Sequence, residues 1–198
     1  MFKKFKGIKV AVFSAAAFFT IGAAAQAQST HTVENDESLW SIAKDYGVAV
    51  EELKSLNNTS SAAVNPGEQI TVPQSISENE KDLLARVVHS EAKGEPYAGK
   101  VAVATVVLNR VESDEFPNTI NDVVYEVSPT GNYAFEPVTN GSINNPADSE
   151  ARKAVQEALA FEGQGNGSLF FYNPATASNH WIATREETIQ IGDHVFAK

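Results

Sequence analysis

Apolar positions along the chain fall into three kinds of run. From Val10 to Ala25 they are nearly continuous, broken only by Ser14, Thr20 and Gly22. Further on, Leu39, Ile42, Ala43 and Tyr46 fall at i, i+3, i+4 and i+7, one face of an amphipathic helix, with Ser38 placed to cap it and Gly47 to stop it. A second helix is predicted from Val50 to Leu56 with Val50, Leu53 and Leu56 inward, ended by Asn57-Asn58 ahead of a Ser/Thr/Ala loop and a Pro66-Gly67 turn. Short strands at Thr30–Val33 and Gln69–Val72 bracket the pair, so residues 30–73 read as a βααβ unit. Residues 74–78 are polar apart from Ile76 and read as a linker, with 79–198 as a second unit. There Ser77-x-x-Glu80 fits a capping box ahead of a helical run from Leu83 to Ala92. Val101 to Val111 is apolar on nearly every face until Asn109-Arg110, the pattern of a helix buried all round.

One polar residue interrupts this pattern. Leu84, Val87, Val88 and Glu91 share a helix face, so Glu91 points along a stripe that should enter the core. A carboxyl group against an apolar wall prefers its neutral form and can hold a proton near neutral pH. Periodicity alone leaves a second reading, in which Glu91 tips into solvent near Gly94 or pairs with Lys93 or Arg86.

Charge changes the picture at the N-terminus. Lys3, Lys4, Lys6 and Lys9 precede the long apolar run, and Ala25-Gln26-Ala27 follows it, the layout of a secretory signal cleaved after Ala27. The run is short for a retained span, so no membrane association is expected after cleavage. Loss of residues 1–27 removes four positive charges and no negative ones, taking the net charge from −10 to −14. A mature chain this acidic is a poor partner for nucleic acid, whose phosphates need clustered Lys and Arg. With no Cys, there are no disulfides, thiol nucleophiles or Cys-based zinc sites. His31, His89, His180 and His194 are scattered without a metal-ligand spacing, so no metal is expected.

The first unit carries a specific set of residues. Thr32-Val33, Asp36-Glu37-Ser38-Leu39-Trp40-Ser41-Ile42-Ala43, Tyr46-Gly47-Val48, Leu56-Asn57, Asn65-Pro66-Gly67-Glu68 and Ile70-Thr71-Val72-Pro73 resemble a LysM repeat over its whole length. The resemblance implies a module that grips N-acetylglucosamine (GlcNAc) units in a shallow groove. In this sequence the groove falls on Asp36, Glu37 and Ser38 on one side and on the segment from Asn57 and Asn58 to Val64 on the other. Asn35 stands where such repeats carry Gly, a position at which Asn tolerates positive φ. Ordinary turn chemistry is the competing role for each of these loop residues, and Trp40 is expected in the core.

The second unit is similar to the SleB-type cell-wall hydrolases, the family of spore cortex-lytic enzymes. The similarity runs from about Asp82 to the last residue: Glu91-Ala92-Lys93-Gly94-Glu95-Pro96-Tyr97 continuing to Asn109-Arg110-Val111, then Phe116-Pro117-Asn118-Thr119-Ile120, Tyr133-Ala134-Phe135-x-Pro137-Val138, Leu169-Phe170-Phe171-Tyr172-Asn173-Pro174 and Ile191-Gly192-Asp193-His194. It implies an α+β chain, a small βααβ LysM module followed by a lysozyme-like, helix-rich catalytic domain with a few short strands. It also implies a secreted, cell-wall or spore-envelope enzyme that acts on the glycan strands of peptidoglycan as a lytic transglycosylase. The family's catalytic acid falls on Glu91, the residue that the helix face singles out independently. Phe135, Glu136, Tyr172 and Asn173 fall on segments that line the substrate groove in such enzymes. For Glu136 a structural role, a groove contact and a second carboxylate are all open, and Glu95 is expected to cap the following helix. One acid suffices for this chemistry, with no cofactor. The alternatives are a hydrolytic muramidase, which would need a second carboxylate from among Asp114, Glu115, Asp122 and Glu136, and a non-catalytic wall-binding protein.

Overall fold

The computed structural model describes residues 29–128, 131–162, 166–177 and 181–198. The signal expected over residues 1–27 lies outside them. In the first unit β1 (Ser29–Thr32) pairs antiparallel with β2 (Gln69–Val72), Ser29 opposite Val72 and Thr32 opposite Gln69. Between them run α1 (Leu39–Tyr46) and α2 (Val50–Leu56), the expected βααβ order. The first strand ends one residue earlier than expected, and Val33 is buried with its N–H donated to the Glu68 carbonyl at 2.9 Å.

Local chemistry explains the helix ends. Ser38 caps α1 in a reciprocal box with Ser41, whose N–H meets the Ser38 hydroxyl at 3.1 Å while the Ser38 N–H meets the Ser41 hydroxyl at 2.8 Å. Gly47 closes it at φ 65°, and a Cβ there would stand 3.1 Å from the Lys81 side chain. The left-handed turn residue in the first loop is Asp36 at φ 66°, rather than the expected Asn35. Leu56 is only half-buried, because Leu39, Ile42, Leu53, Ile70 and Val72 already fill this small core.

The stretch after β2 leads straight into α3 (Glu78–Glu91), with Ser77 and Glu80 forming the expected capping box. The first unit does not hang free on it. Ala160, at the end of α7 (Ser149–Ala160), belongs to the same buried cluster as Leu39 and Ile42, and the Trp40 ring meets Phe161 edge-on at 4.5 Å. Trp40 is therefore half-buried at the seam between the two units.

The second unit is built around α4 (Tyr97–Glu112), which packs against α3, α7 and the short α5 (Ile120–Val124). Val103, Ala104, Val106 and Val107 are fully buried, as the apolar run predicted. The expectation that polarity resumes at Arg110 is corrected: Arg110 is itself only 7% exposed. A five-residue helix, α6 (Glu136–Asn140), follows the Phe135 corner. The chain ends in a sheet of order β3-β5-β4, with β3 (Phe170–Tyr172) and β4 (Glu187–Ile191) antiparallel to β5 (His194–Ala197). The β4–β5 turn brings Gly192 and Asp193 back against the start of α4.

Asn57 ties α2 to β2. Its amide nitrogen donates to the carbonyls of Leu53 and Thr71, both at 2.8 Å, and its amide oxygen accepts the Thr71 N–H at 2.8 Å. Asn57→Ala should therefore lower stability by about 2 kcal/mol, the scale of a partly buried backbone group left unpaired. A urea denaturation midpoint equal to that of the wild type would show that these bonds carry no weight.

Candidate active site

Glu91 is the last residue of α3, and the apolar stripe before it holds: Leu84, Val87 and Val88 are fully buried. Its half-buried carboxyl accepts the backbone N–H of Glu136 at 3.1 Å through Oε1. Burial pushes its pKa up to about 7; the Glu136 N–H opposes the rise, the Glu136 carboxylate adds to it, and the Arg110 charge opposes it. A carboxyl group poised there holds its proton in a large fraction of molecules at neutral pH and releases it readily.

The acid opens into a cleft of about 480 Å³. It is lined by the end of α3 and the loop after it, by α6, and by Tyr172, Asn173 and the β4–β5 turn. The structure thus brings Glu91, Glu136, Tyr172 and Asn173 together. Glu136 presents its exposed side chain to the cleft and its N–H to Glu91. Asp114, Glu115 and Asp122 do not line the cleft.

Phe135 is a correction. It is 1% exposed and packs into the core, its ring under the Arg110 guanidinium at 5.1 Å, so it shapes the corner that aims the Glu136 N–H and offers no face to a substrate. Glu95 is another. Pro96 precedes α4 without any side-chain cap, and the buried Glu95 carboxylate instead accepts the Asp193 N–H at 3.1 Å. Two glycines make room for it: a Cβ on Gly192 would collide with Glu95 Oε2, and one on Gly99 would press its Cβ at 3.2 Å. His194, in the same wall, is buried between Phe171 and Phe196, and burial holds its pKa below the usual histidine value. His89 pairs with Asp148, the cap of α7, at 3.1 Å, a structural duty.

Sequence reasoning assigned no role to Arg110, Asp193 or His194. All three stand in motifs already noted, but no periodicity marks a buried guanidinium at the end of an apolar helix.

On the first unit the two groove loops do lie side by side, with the Leu39 N–H donating to the Ala62 carbonyl at 3.1 Å. Three of the five expected contact side chains are engaged by the fold. Asn57 bridges α2 and β2, Ser38 caps α1, and Glu37 accepts the Glu34 N–H and pairs with His31, both at 2.7 Å. The Glu34 N–H, then His31, holds the Glu37 pKa below the usual carboxylate range. Asp36, at φ 66°, is exposed, and so is Asn58, at φ 54°.

Among the described residues no helix is long and apolar enough to cross a membrane. Residues 31–73 match the profile of the LysM domain, and residues 94–197 match that of the family described as Cell Wall Hydrolase. A spore cortex-lytic enzyme of Oceanobacillus iheyensis is 38% identical over 159 residues, covering 77% of this chain and 56% of that protein. The spore cortex-lytic enzyme of Bacillus cereus is 43% identical over 128 residues, 64% of this chain and 47% of its own. The chain spans about half the length of the curated relatives it matches. Among solved structures, the catalytic domain of the germination-specific lytic transglycosylase SleB from Bacillus anthracis superposes with a TM-score of 0.57 at 41% identity, covering 64% of this chain and all of that one. The Bacillus cereus SleB catalytic domain gives 0.56 at 42% identity. With the matched profile spanning more than half its residues and the cleft, helices and terminal sheet falling inside or beside that span, the chain belongs to the Cell Wall Hydrolase family, with a LysM domain ahead of the family's segment.

Proposed function

We propose that this chain is a secreted, peptidoglycan-degrading enzyme in which Glu91 cleaves the bond between N-acetylmuramic acid and GlcNAc as a lytic transglycosylase, with the LysM module holding it on the wall. The observation that carries the reading is the Glu91 carboxyl itself: desolvated, pushed up to about 7, and opening into a polar cleft. Its likeness to spore cortex-lytic enzymes and to a germination-specific lytic transglycosylase supports the same assignment and a location in the wall or spore envelope.

The chemistry follows from one group used twice. Protonated Glu91 gives its proton to the glycosidic oxygen, the C1–O bond breaks, and positive charge develops on the muramyl ring. The carboxylate left behind then takes the proton of the muramyl 6-hydroxyl as O6 bonds to C1. The 1,6-anhydro ring closes, no water enters, and Glu91 regains its proton. A group with a pKa near 7 is suited to both halves, because neither protonation state is costly to reach. The Glu136 N–H at 3.1 Å fixes the orientation of the carboxyl and stabilises its ionised form. A second reading rests on Glu136, whose carboxylate lies in the same cleft and could activate water and make the enzyme a hydrolase.

Glu91→Gln keeps the shape and removes the transferable proton, so cleavage of purified peptidoglycan should fall by about 10²-fold or more. Turnover near the wild-type rate would end the assignment. Wild-type products should carry 1,6-anhydromuramic ends, one water lighter than hydrolytic ones by mass spectrometry. Reducible muramic ends that vanish in Glu136→Gln would establish the hydrolase instead. In the wild type kcat/KM should decline as pH rises through about 7, where Glu91 loses its proton.

The same group makes a stability prediction. Its folded pKa lies above the ordinary 4.5, so the folded state binds the extra proton between about 4.5 and 7 and loses that stabilisation as pH rises through the window. Glu91→Gln should then be more stable than the wild type at pH 8, by on the order of 2 kcal/mol, and nearly equal to it at pH 4. Thermal melts at the two pH values distinguish this from a pH-independent effect. For the LysM module, Asp36→Ala combined with Asn58→Ala should weaken retention on insoluble peptidoglycan several-fold while leaving cleavage of soluble fragments near the wild-type rate. Unchanged sedimentation with the wall would remove these two residues from the glycan contact.

A further inference from the structure

Arg110 places a charge where the fold would accept an apolar side chain. It sits in the last turn of α4, 7% exposed, with its guanidinium carbon 4.9 Å from the ring centre of Phe116, 5.1 Å from Phe135 and 5.5 Å from Phe170. Its Nε–H donates to the Leu169 carbonyl at 2.7 Å. Among the described residues no carboxylate lies within 4 Å of it. Desolvating a cation without a direct ion pair is costly, and the aromatic faces and one carbonyl return only part of that cost. A leucine or methionine would fill the same space more cheaply. The carboxylates whose fields reach it are Glu126, the stronger, and then Glu91.

We propose that Arg110 is the positioning residue for Glu91, clamping the two chain segments that meet at the acid and supplying the buried positive charge opposed to it. The inference rests on the reading of Glu91 as the acid. The first segment is the Phe135–Glu136 corner: the guanidinium covers the Phe135 ring, and the next residue's N–H is the one that binds Glu91 Oε1. The second is Leu169-Phe170, gripped by a hydrogen bond and a ring face, which leads through β3 to Tyr172 and Asn173 in the lining of the same cleft. One planar side chain thus joins the two segments that carry Glu136 and Tyr172 into the cleft.

The charges around the acid leave this role to Arg110. From α6 comes Glu136; from the loop before α4 come Lys93 and Glu95; from the β4–β5 turn come Asp193 and His194; Glu126 follows α5. Four of these are carboxylates. Lys93 is exposed and screened by solvent, and burial holds the His194 pKa below the usual histidine value. Arg110 is the buried cation left to balance the ionised form of Glu91, so removing its charge should move the ionisation of Glu91 to higher pH.

The test compares Arg110→Gln, which keeps a planar polar group and loses the charge, with Arg110→Lys, which keeps the charge and loses the flat face. The Glu91 carboxyl is followed by carbon NMR in the full chain, alongside the pH profile of peptidoglycan cleavage. In Arg110→Gln both the Glu91 midpoint and the alkaline limb of the profile should rise by about half a pH unit or more. In Arg110→Lys both should stay near the wild-type values while kcat falls several-fold through the weakened clamp. A lysine variant shifted like the glutamine one would overturn the role of the charge. A measurement on unsubstituted Arg110 covers the case of a glutamine variant that does not fold. The Arg110 Nε resonance should titrate with the Glu91 midpoint in the wild type and become flat in Glu91→Gln. A flat resonance in the wild type, or an unmoved Glu91 midpoint in a folded Arg110→Gln, overturns the proposal. Coupled titrations together with a fully active Glu91→Gln would leave the positioning role standing and remove Glu91 as the acid.

Discussion

A carboxyl group kept partly out of water at the end of an apolar helix is the constraint on which the second unit turns. Desolvation alone would hold Glu91 neutral, and full hydration would return it to an ordinary surface glutamate. The structure reaches the intermediate state by letting three buried apolar side chains carry the helix into the core and by opening the cleft just at its last residue. One backbone N–H then supplies the hydrogen bond that an isolated carboxyl in such a place would lack. The short α6, the buried Phe135 and the glycine-lined turn at Gly192 all have the effect of bringing polar groups to that point without exposing the core behind them.

The second carboxylate of the helix-breaking motif serves this arrangement in a different way. Glu95 lies four residues beyond Glu91 but outside α3, and its carboxylate faces the returning sheet. By binding the Asp193 N–H it fastens the β4–β5 turn to the start of α4, where Glu95 and Asp193 both contribute to the lining of the cleft. Gly99 and Gly192 are conditions for that contact, since a methyl group at either position would press on Glu95. The motif therefore contains one glutamate that opens into the cleft and one that fastens the architecture around it, separated by a glycine at φ 90° that turns the chain between them.

Much of this could be read from the sequence because it depends on local periodicity and end signals. The boundaries of α1, α2 and β2, the cap at Ser38, the capping box at Ser77 and the burial of α4 follow from spacing and cap chemistry, and Glu91 stands out because it breaks a stripe. What could not be read depends on which polar atoms meet across the fold. Asn57 looks like a loop residue free to bind sugar until α2 and β2 engage its amide between them, and Phe135 looks like a groove aromatic until Arg110 settles over its ring. Arg110 itself has the spacing of a helix end, where arginine ordinarily reaches solvent. Only the positions of Phe116, Phe135 and Phe170, from three separate segments, explain its burial.

The seam between the two units bears on how a LysM module can serve the proposed activity. A flexible tether raises the local concentration of substrate without dictating its direction, whereas a packed module also imposes an angle. Here α7 belongs to both units: Ala154 and Ala158 face α4 and α3, while Ala160 enters the core of the first unit and Phe161 meets Trp40. Lys81 of α3 reaches the Tyr46 carbonyl across the same boundary. At its edge, Glu162 is pushed up to about 7 by burial, with the charges of Glu112 and Glu52 adding to the rise. A glycan held by the loops at Asp36 and Asn58 would therefore meet the cleft in an orientation governed by α7. The benefit of the module depends on that orientation matching the course of the strand, because avidity is lost when geometry forbids both sites from engaging at once.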